Sequence, residues 1–228
     1  SDCLVGSEMC IRDRTVTYML AGEFEHKDST GGEGRMTAGD VQWMKTGSGI
    51  IHSEMPAMKE GKLHGFQLWI NMPASLKMSK PEYHYIDANE MSVHHDEDKK
   101  VKVIAGKFEN AEGPIKKHNV EPIFFDVELK QNKQFSFSIP KSHNSFVYLV
   151  DGRIKIGNLS HDNIEGSKLV LLTNGNNLKV FAETNAKFLL IAGEPIGERI
   201  ARGGPFVMNT KSEIIQAIND YNNGTFVR

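Results

Sequence analysis

From residue 15 onward the chain consists of short β-rich runs, each closed within a few positions by turn residues. "TVTYML" stops at Ala21-Gly22, "EFEH" at "KDSTGGEG" and "DVQWM" at "KTGSG". Then follow "GFQLWINM", "VKVIAG", "PIFFDVEL", "FSFSIP", "SFVYLV" before Asp151-Gly152, "RIKIG", "KLVLLTNGNN", "LKVFAE" and "KFLLIAGEP". Closely spaced runs of this kind, with Asp-Gly and Asn-Gly turn signals, point to antiparallel sheets. The expected fold class is all-β, a barrel or sandwich. One stretch departs from this pattern. "TKSEIIQAINDYNNG" has the Thr210 and Glu213 of a capping box, then Ile214, Ile215, Ile218 and Tyr221 on one helical face, and Gly224 beyond. It is expected to be a terminal helix packed on the strands, whereas "SLKMSKPEY" is expected to be a loop, because Pro81 stops a helix.

A repeat is visible within the runs. "TVTYMLAGEFEH" around Gly22 and "SFVYLVDGRIKIG" around Gly152 each pair an alternating strand with a tight glycine turn and a second strand, as in a hairpin. Two similar β-barrels in tandem would account for the length and the number of runs. The expected seam is "AGKFENAEGPIKKHN", residues 105–119, which is rich in Gly, Pro, Asn and Lys. The expected division is a barrel over 15–114 and a second barrel with the helix over 115–228.

Residues 1–14 do not fit this pattern. "LVGSEMCIRD", Leu4 to Asp13, shows neither strand alternation nor helical periodicity, and it reads as the translation of one frame of a transposase sequencing adapter. It is expected to be a foreign leader and is kept out of the fold reasoning, as vector-derived segments should be. The expectation is a first barrel that lacks its opening strands, with unpaired sheet edges. Long-read sequencing of the source locus tests this.

Bulk properties remove several function classes. No apolar run reaches the roughly 18 residues of a membrane-spanning helix. A net charge of −2 and a pI near 6.5 give no general attraction to nucleic acid or to anionic lipid. Neither a membrane nor a nucleic acid is an expected partner. Cys3 and Cys10 are the only cysteines and both lie in the leader, so no disulfide framework is expected. With no secretory signal visible, the expected location is cytoplasmic.

The candidate chemistry lies in "GSGIIHSEMP", residues 47–56. On a strand His52 and Glu54 project to one face while Ile51 and Ser53 project to the other. An imidazole and a carboxylate meeting inside a barrel suit a first-row metal such as iron, manganese, nickel or zinc. The triplet alone is a weak signal and is better read as two polar residues on a short strand. The surrounding sequence decides between them.

"TVTYMLAGEFEHKDSTGGEG", "GDVQWMKTGSGIIHSEMP", "LHGFQLWINMP", "KMSKPEYH" and "GPFVMNTKSEIIQAINDYNNGTF" together resemble the pirin family of two-domain cupins, over essentially all of residues 15–228. The resemblance implies two tandem cupin-type barrels, with one mononuclear non-haem iron in the first held by three histidines and a glutamate. His52 and Glu54 match the histidine and glutamate of the family's H-S-E triplet. Its other two histidines belong to an H-P-H-R-G-F-E segment directly before T-V-T-Y, and here those positions fall on Glu8 and Cys10 of "EMCIRDR". Iron retention is therefore expected to be weak or absent in this chain. The same offsets from Gly152 land on Ser138 and Pro140, so the second barrel is expected to hold no metal.

For the intact form the resemblance further implies a dioxygenase acting on flavonols of the quercetin type, with His52 a ligand and Glu54 both ligand and catalytic base, whereas the present chain is expected to be inactive. The alternative that the resemblance leaves is of another class, a regulatory protein whose bound metal tunes a surface for transcription factors or metabolic enzymes. The remaining candidates are expected to be structural. His64 is a strand-end residue facing water or a partner beside the pocket, His94 and His95 belong to a solvated charged loop, His143 is a lone surface or hydrogen-bonded residue, and Trp43 and Trp69 pack the core.

Overall fold

The computed structural model describes residues 13–115, 122–157 and 163–227, together with the backbone of 6–10. The chain divides into two compact units, the first formed by residues 1–89 and 196–228 and the second by residues 90–195.

In the first unit the strands are β1 (Gly6–Cys10), β2 (Asp13–Ala21), β3 (Phe24–Asp28), β4 (Glu33–Met36), β5 (Val41–Lys45), β6 (Ile50–Pro56), β7 (His64–Asn71) and β8 (Glu82–Ile86). They form two antiparallel sheets with the orders β1-β6-β3-β4 and β7-β2-β5-β8. The second unit holds β9 (Ser92–His95), β10 (Lys99–Ala105), β11 (Lys107–Phe108), β12 (Ala111–Glu112), β13 (Ile123–Leu129), β14 (Gln134–Ser138), β15 (Asn144–Asp151) and β16 (Arg153–Ile156). It continues through β17 (Ile164–Glu165), β18 (Lys168–Leu171), β19 (Asn177–Ala182) and β20 (Ala186–Gly193). Its main sheets run β18-β15-β20-β13-β10-β9 and β14-β19-β16-β17. The chain then returns to the first unit through β21 (Ala201–Gly203), β22 (Phe206–Met208) and α1 (Lys211–Asn222). Among the described residues no helix is long and apolar enough to cross a membrane.

The all-β expectation holds, and strand alternation explains how. In β19 the burial alternates strictly, Leu178, Val180 and Ala182 turning inward. The core of the second unit is apolar, with Phe125, Phe135 and Phe188 fully buried. Phe108 stacks on Phe135 at 5.4 Å between centroids, and Phe125 meets Phe137 edge-on at 4.9 Å.

β9 pairs with β10 and β10 with β13, so residues 90–114 group by contact with the second unit. Three expectations need correction. Gly22 and Gly152 are not hairpin turns. In each unit the chain there passes from one sheet to the other, β2 to β3 and β15 to β16, with φ of 83° and 88°. A glycine in the left-handed region serves a sheet corner as well as a hairpin. Gly6–Cys10 of the leader form β1, which pairs antiparallel with β6 where an unpaired edge was expected. Ladder bonds use the backbone, so a segment with no side-chain alternation can still fill an edge. Finally, α1 buries Ile214, Ala217 and Asp220 while Ile215, Ile218 and Tyr221 are exposed. The face chosen is the one that meets Phe206, Met208 and Phe226.

Candidate functional site

The quoted stretch lies where two constraints position it. Gly47 (φ 51°) and Gly49 (φ 144°) occupy backbone regions that L side chains rarely adopt. A Cβ on Gly47 would stand 2.1 Å from the Ser79 carbonyl oxygen, and one on Gly49 2.9 Å from Phe226. β6 therefore starts at Ile50 with its register fixed, and the pairs Asp28 to His52 and His26 to Glu54 follow. Because side chains alternate, His52 and Glu54 both turn inward, each only 1% exposed.

Glu54 is held from two sides. The Gln42 amide donates to its Oε1 at 2.7 Å, and the Gln67 amide donates to its Oε2 at 3.0 Å. Each glutamine is oriented in turn by a donor on its own carbonyl, the Tyr83 hydroxyl at 3.3 Å for Gln42 and the Trp69 indole N–H at 3.0 Å for Gln67. A buried amide and a half-buried one thus satisfy a buried carboxylate that would otherwise be costly to desolvate.

His52 is the opposite case. Among the described residues neither Nδ1 nor Nε2 has a hydrogen-bond partner, although both are buried. Burial pushes its pKa down; Glu54 pulls up, the neighbouring His26 pushes down further and Asp28 pulls up, and the net direction is downward. A buried imidazole kept neutral with both nitrogens free is in the form a metal requires.

His26 completes the cluster. Its ring stacks on Tyr83 at 4.6 Å and lies 5.7 Å from the His52 ring. Its Nε2 is 3.0 Å from Asp28 Oδ2, and its unpartnered Nδ1 is 3.7 Å from Glu54 Oε1. Burial works to raise the Asp28 pKa, but bonds from the Thr30 hydroxyl and N–H, His26 and the Gly32 N–H outweigh it, so the carboxyl is held below its ordinary value.

The structure thus brings His52 and Glu54 together, as the spacing predicts, and adds His26, Asp28, Gln42, Gln67 and Tyr83. The signal for His26 and Asp28 was the same alternation, since Phe24, His26 and Asp28 share a face of β3. The fit to a metal is partial. His52 offers free nitrogens and Glu54 a carboxylate, but among the described residues no three His, Cys, Asp or Glu side chains are arranged to hold an ion. The backbone register sets Glu8 opposite His52 and Cys10 opposite Ile50.

The other candidates lie elsewhere. His64 opens β7 with its ring 5.5 Å from Phe66. His143 is half-buried, its Nδ1 3.3 Å from the Ser142 hydroxyl. His94 and His95 are on a strand rather than in a loop, where His94 Nε2 meets Asp96 at 3.2 Å and its ring meets Phe108 edge-on. Trp43 is buried, but Trp69 is 38% exposed, so its expected place in the core is wrong.

Comparison with known proteins supplies the context. The Pirin family model matches residues 11–70, and that of the pirin C-terminal cupin domain matches residues 124–227. A pirin-like protein of Caulobacter vibrioides is 41% identical over 214 residues, covering 93% of this chain and 76% of the relative. A crystal structure of quercetin 2,3-dioxygenase from Acinetobacter baumannii superposes with a TM-score of 0.90 at 34% identity, covering 97% of this chain and 78% of that one. A bacterial pirin from Escherichia coli in complex with nickel(II) shares the fold, with a TM-score of 0.66 at 22% identity over 84% of this chain and 76% of that one.

Proposed function

This chain belongs to the pirin family, and from that premise we propose that its first unit is a metal-dependent dioxygenase site for flavonols of the quercetin type. The observation that carries the reading is the pair of unpartnered nitrogens on buried His52, beside a carboxylate already aimed by two amides. His52 and Glu54 would hold the metal, taken here as iron, and the metal would supply Lewis-acid polarisation of the substrate oxygens.

The chain's own residues do the rest. Gln42 and Gln67 fix the Glu54 carboxylate, so that it can take a hydroxyl proton from a substrate without reorganising. Tyr83 covers the His26 ring and orients Gln42. Asp28 fixes His26, whose Nδ1 is left directed at Glu54. Burial of His26, Gln42 and Glu54 keeps bulk water from competing for the proton.

The test restores donors at the two register positions. Glu8→His with Cys10→His should raise iron, measured by elemental analysis, from well below one per chain toward one. Oxygen uptake with quercetin should appear in parallel, and Glu54→Ala in that background should abolish it. Full iron occupancy without turnover removes the dioxygenase reading; metal-dependent capture of a protein partner by the same variant would then favour the regulatory one. One iron per unaltered chain would overturn the expectation of weak retention.

A further inference from the structure

Trp69 is an anomaly for a strand residue of its parity. In β7 it shares a face with Gln67, whose amide reaches buried Glu54, so this face points into the unit. Yet Trp69 is 38% exposed. The indole N–H is committed to Gln67, on the way to the buried carboxylate, while over a third of the residue remains exposed to solvent. Two further groups accompany it. The exposed Arg202 of β21 holds its guanidinium carbon 5.9 Å from the ring centroid, the outer limit of a cation–π contact, and among the described residues no carboxylate pairs with it. On the neighbouring strand Thr15 pairs directly with Trp69, so its side chain shares that face; its hydroxyl is fully buried and has no partner.

We propose that Trp69, Arg202 and Thr15 form the ligand shelf of the first unit, which takes a planar aromatic molecule bearing hydroxyl or anionic oxygens. The ring stacks on the indole, an anionic oxygen meets Arg202, and a hydroxyl satisfies the Thr15 side chain. Trp69 then joins ligand to chemistry, because the indole that carries the ligand also orients Gln67, and Gln67 orients Glu54. The proposal names the recognition residues of the site above and rests on that reading for the substrate class, but its test does not depend on turnover.

Binding of quercetin to the full chain is measured without oxygen, by calorimetry and by quenching of tryptophan fluorescence, with unsubstituted flavone as a comparator lacking hydroxyls. Trp69→Ala should weaken quercetin by about tenfold or more, and Trp69→Phe by less than about threefold, the loss that removal of a stacking ring predicts. Arg202→Ala, at an exposed position that leaves the core intact, should weaken quercetin and leave flavone unchanged. Thr15→Val should also act on quercetin alone. Absence of quercetin binding, or equal affinity in Trp69→Ala and the parent, overturns the shelf. Trp69-dependent binding with no oxygen uptake in the histidine-restored variant keeps the shelf and removes the dioxygenase; oxygen uptake unaffected by Trp69→Ala does the reverse. If Trp69→Ala does not fold, the Trp69→Phe and Arg202→Ala affinities decide.

Discussion

Asp13 shows how one residue can work against the fold that contains it. It opens β2 at 1% exposure, with Oδ1 bonded to the Thr46 hydroxyl at 3.0 Å and Oδ2 unpartnered. Burial drives its pKa up to about 7, against the opposing pull of the Thr46 bond and of Lys77. A carboxyl raised in the folded state leaves stability intact below the unfolded value of 3.8. Stability is then lost as pH rises from there through about 7. At about 1.4 kcal/mol per pKa unit the loss is on the order of 4 kcal/mol. Asp13→Asn should therefore raise the urea midpoint at pH 8 and flatten its fall between about pH 4 and 8; an unchanged midpoint at pH 8 would show that Asp13 is not the cause. At this scale His52 and Glu54 were legible because strand parity needs only local sequence. Gln42 and Gln67 were not, because an inward glutamine declares its role only once its acceptor is known.

Elements were legible as runs but less so as partners. Most of the expected strands form at the quoted positions, and the capping box of α1 closes as written, with the Thr210 hydroxyl accepting the Glu213 N–H at 3.3 Å and Glu213 accepting the Thr210 N–H at 2.7 Å. Thr210→Ala should cost about 1 kcal/mol in chemical denaturation, the usual value of an N-cap, and a loss below about 0.3 kcal/mol would mean that packing alone holds the helix start. The sheet corners at Gly22 and Gly152 and the pairing of β1 with β6 were not legible. A turn glycine marks a change of direction without naming the next neighbour, and a ladder of backbone bonds is indifferent to side-chain pattern.

For the whole molecule, the return of residues 196–228 to the first unit makes that unit discontinuous in sequence. Phe206, Met208, Ile214 and Phe226 form a cluster against which Ile51, the neighbour of His52, packs. A chain ending at Pro195 strips this cover, so limited proteolysis should cut within 15–89 while 90–195, with its own apolar core, resists. Equal resistance of both segments would show that the first unit stands without its C-terminal portion. The sequence by itself determined the all-β class, the terminal helix, the inward pairing of His52 with Glu54 and the family resemblance, all of which rest on local periodicity or on motifs contiguous in the chain. Tertiary structure alone decided the discontinuous unit, the amide clamp on Glu54, the approach of His26 and the half-open position of Trp69. Each of these depends on which strands become neighbours, and that choice is made by burial and backbone pairing across tens of residues rather than by any single stretch.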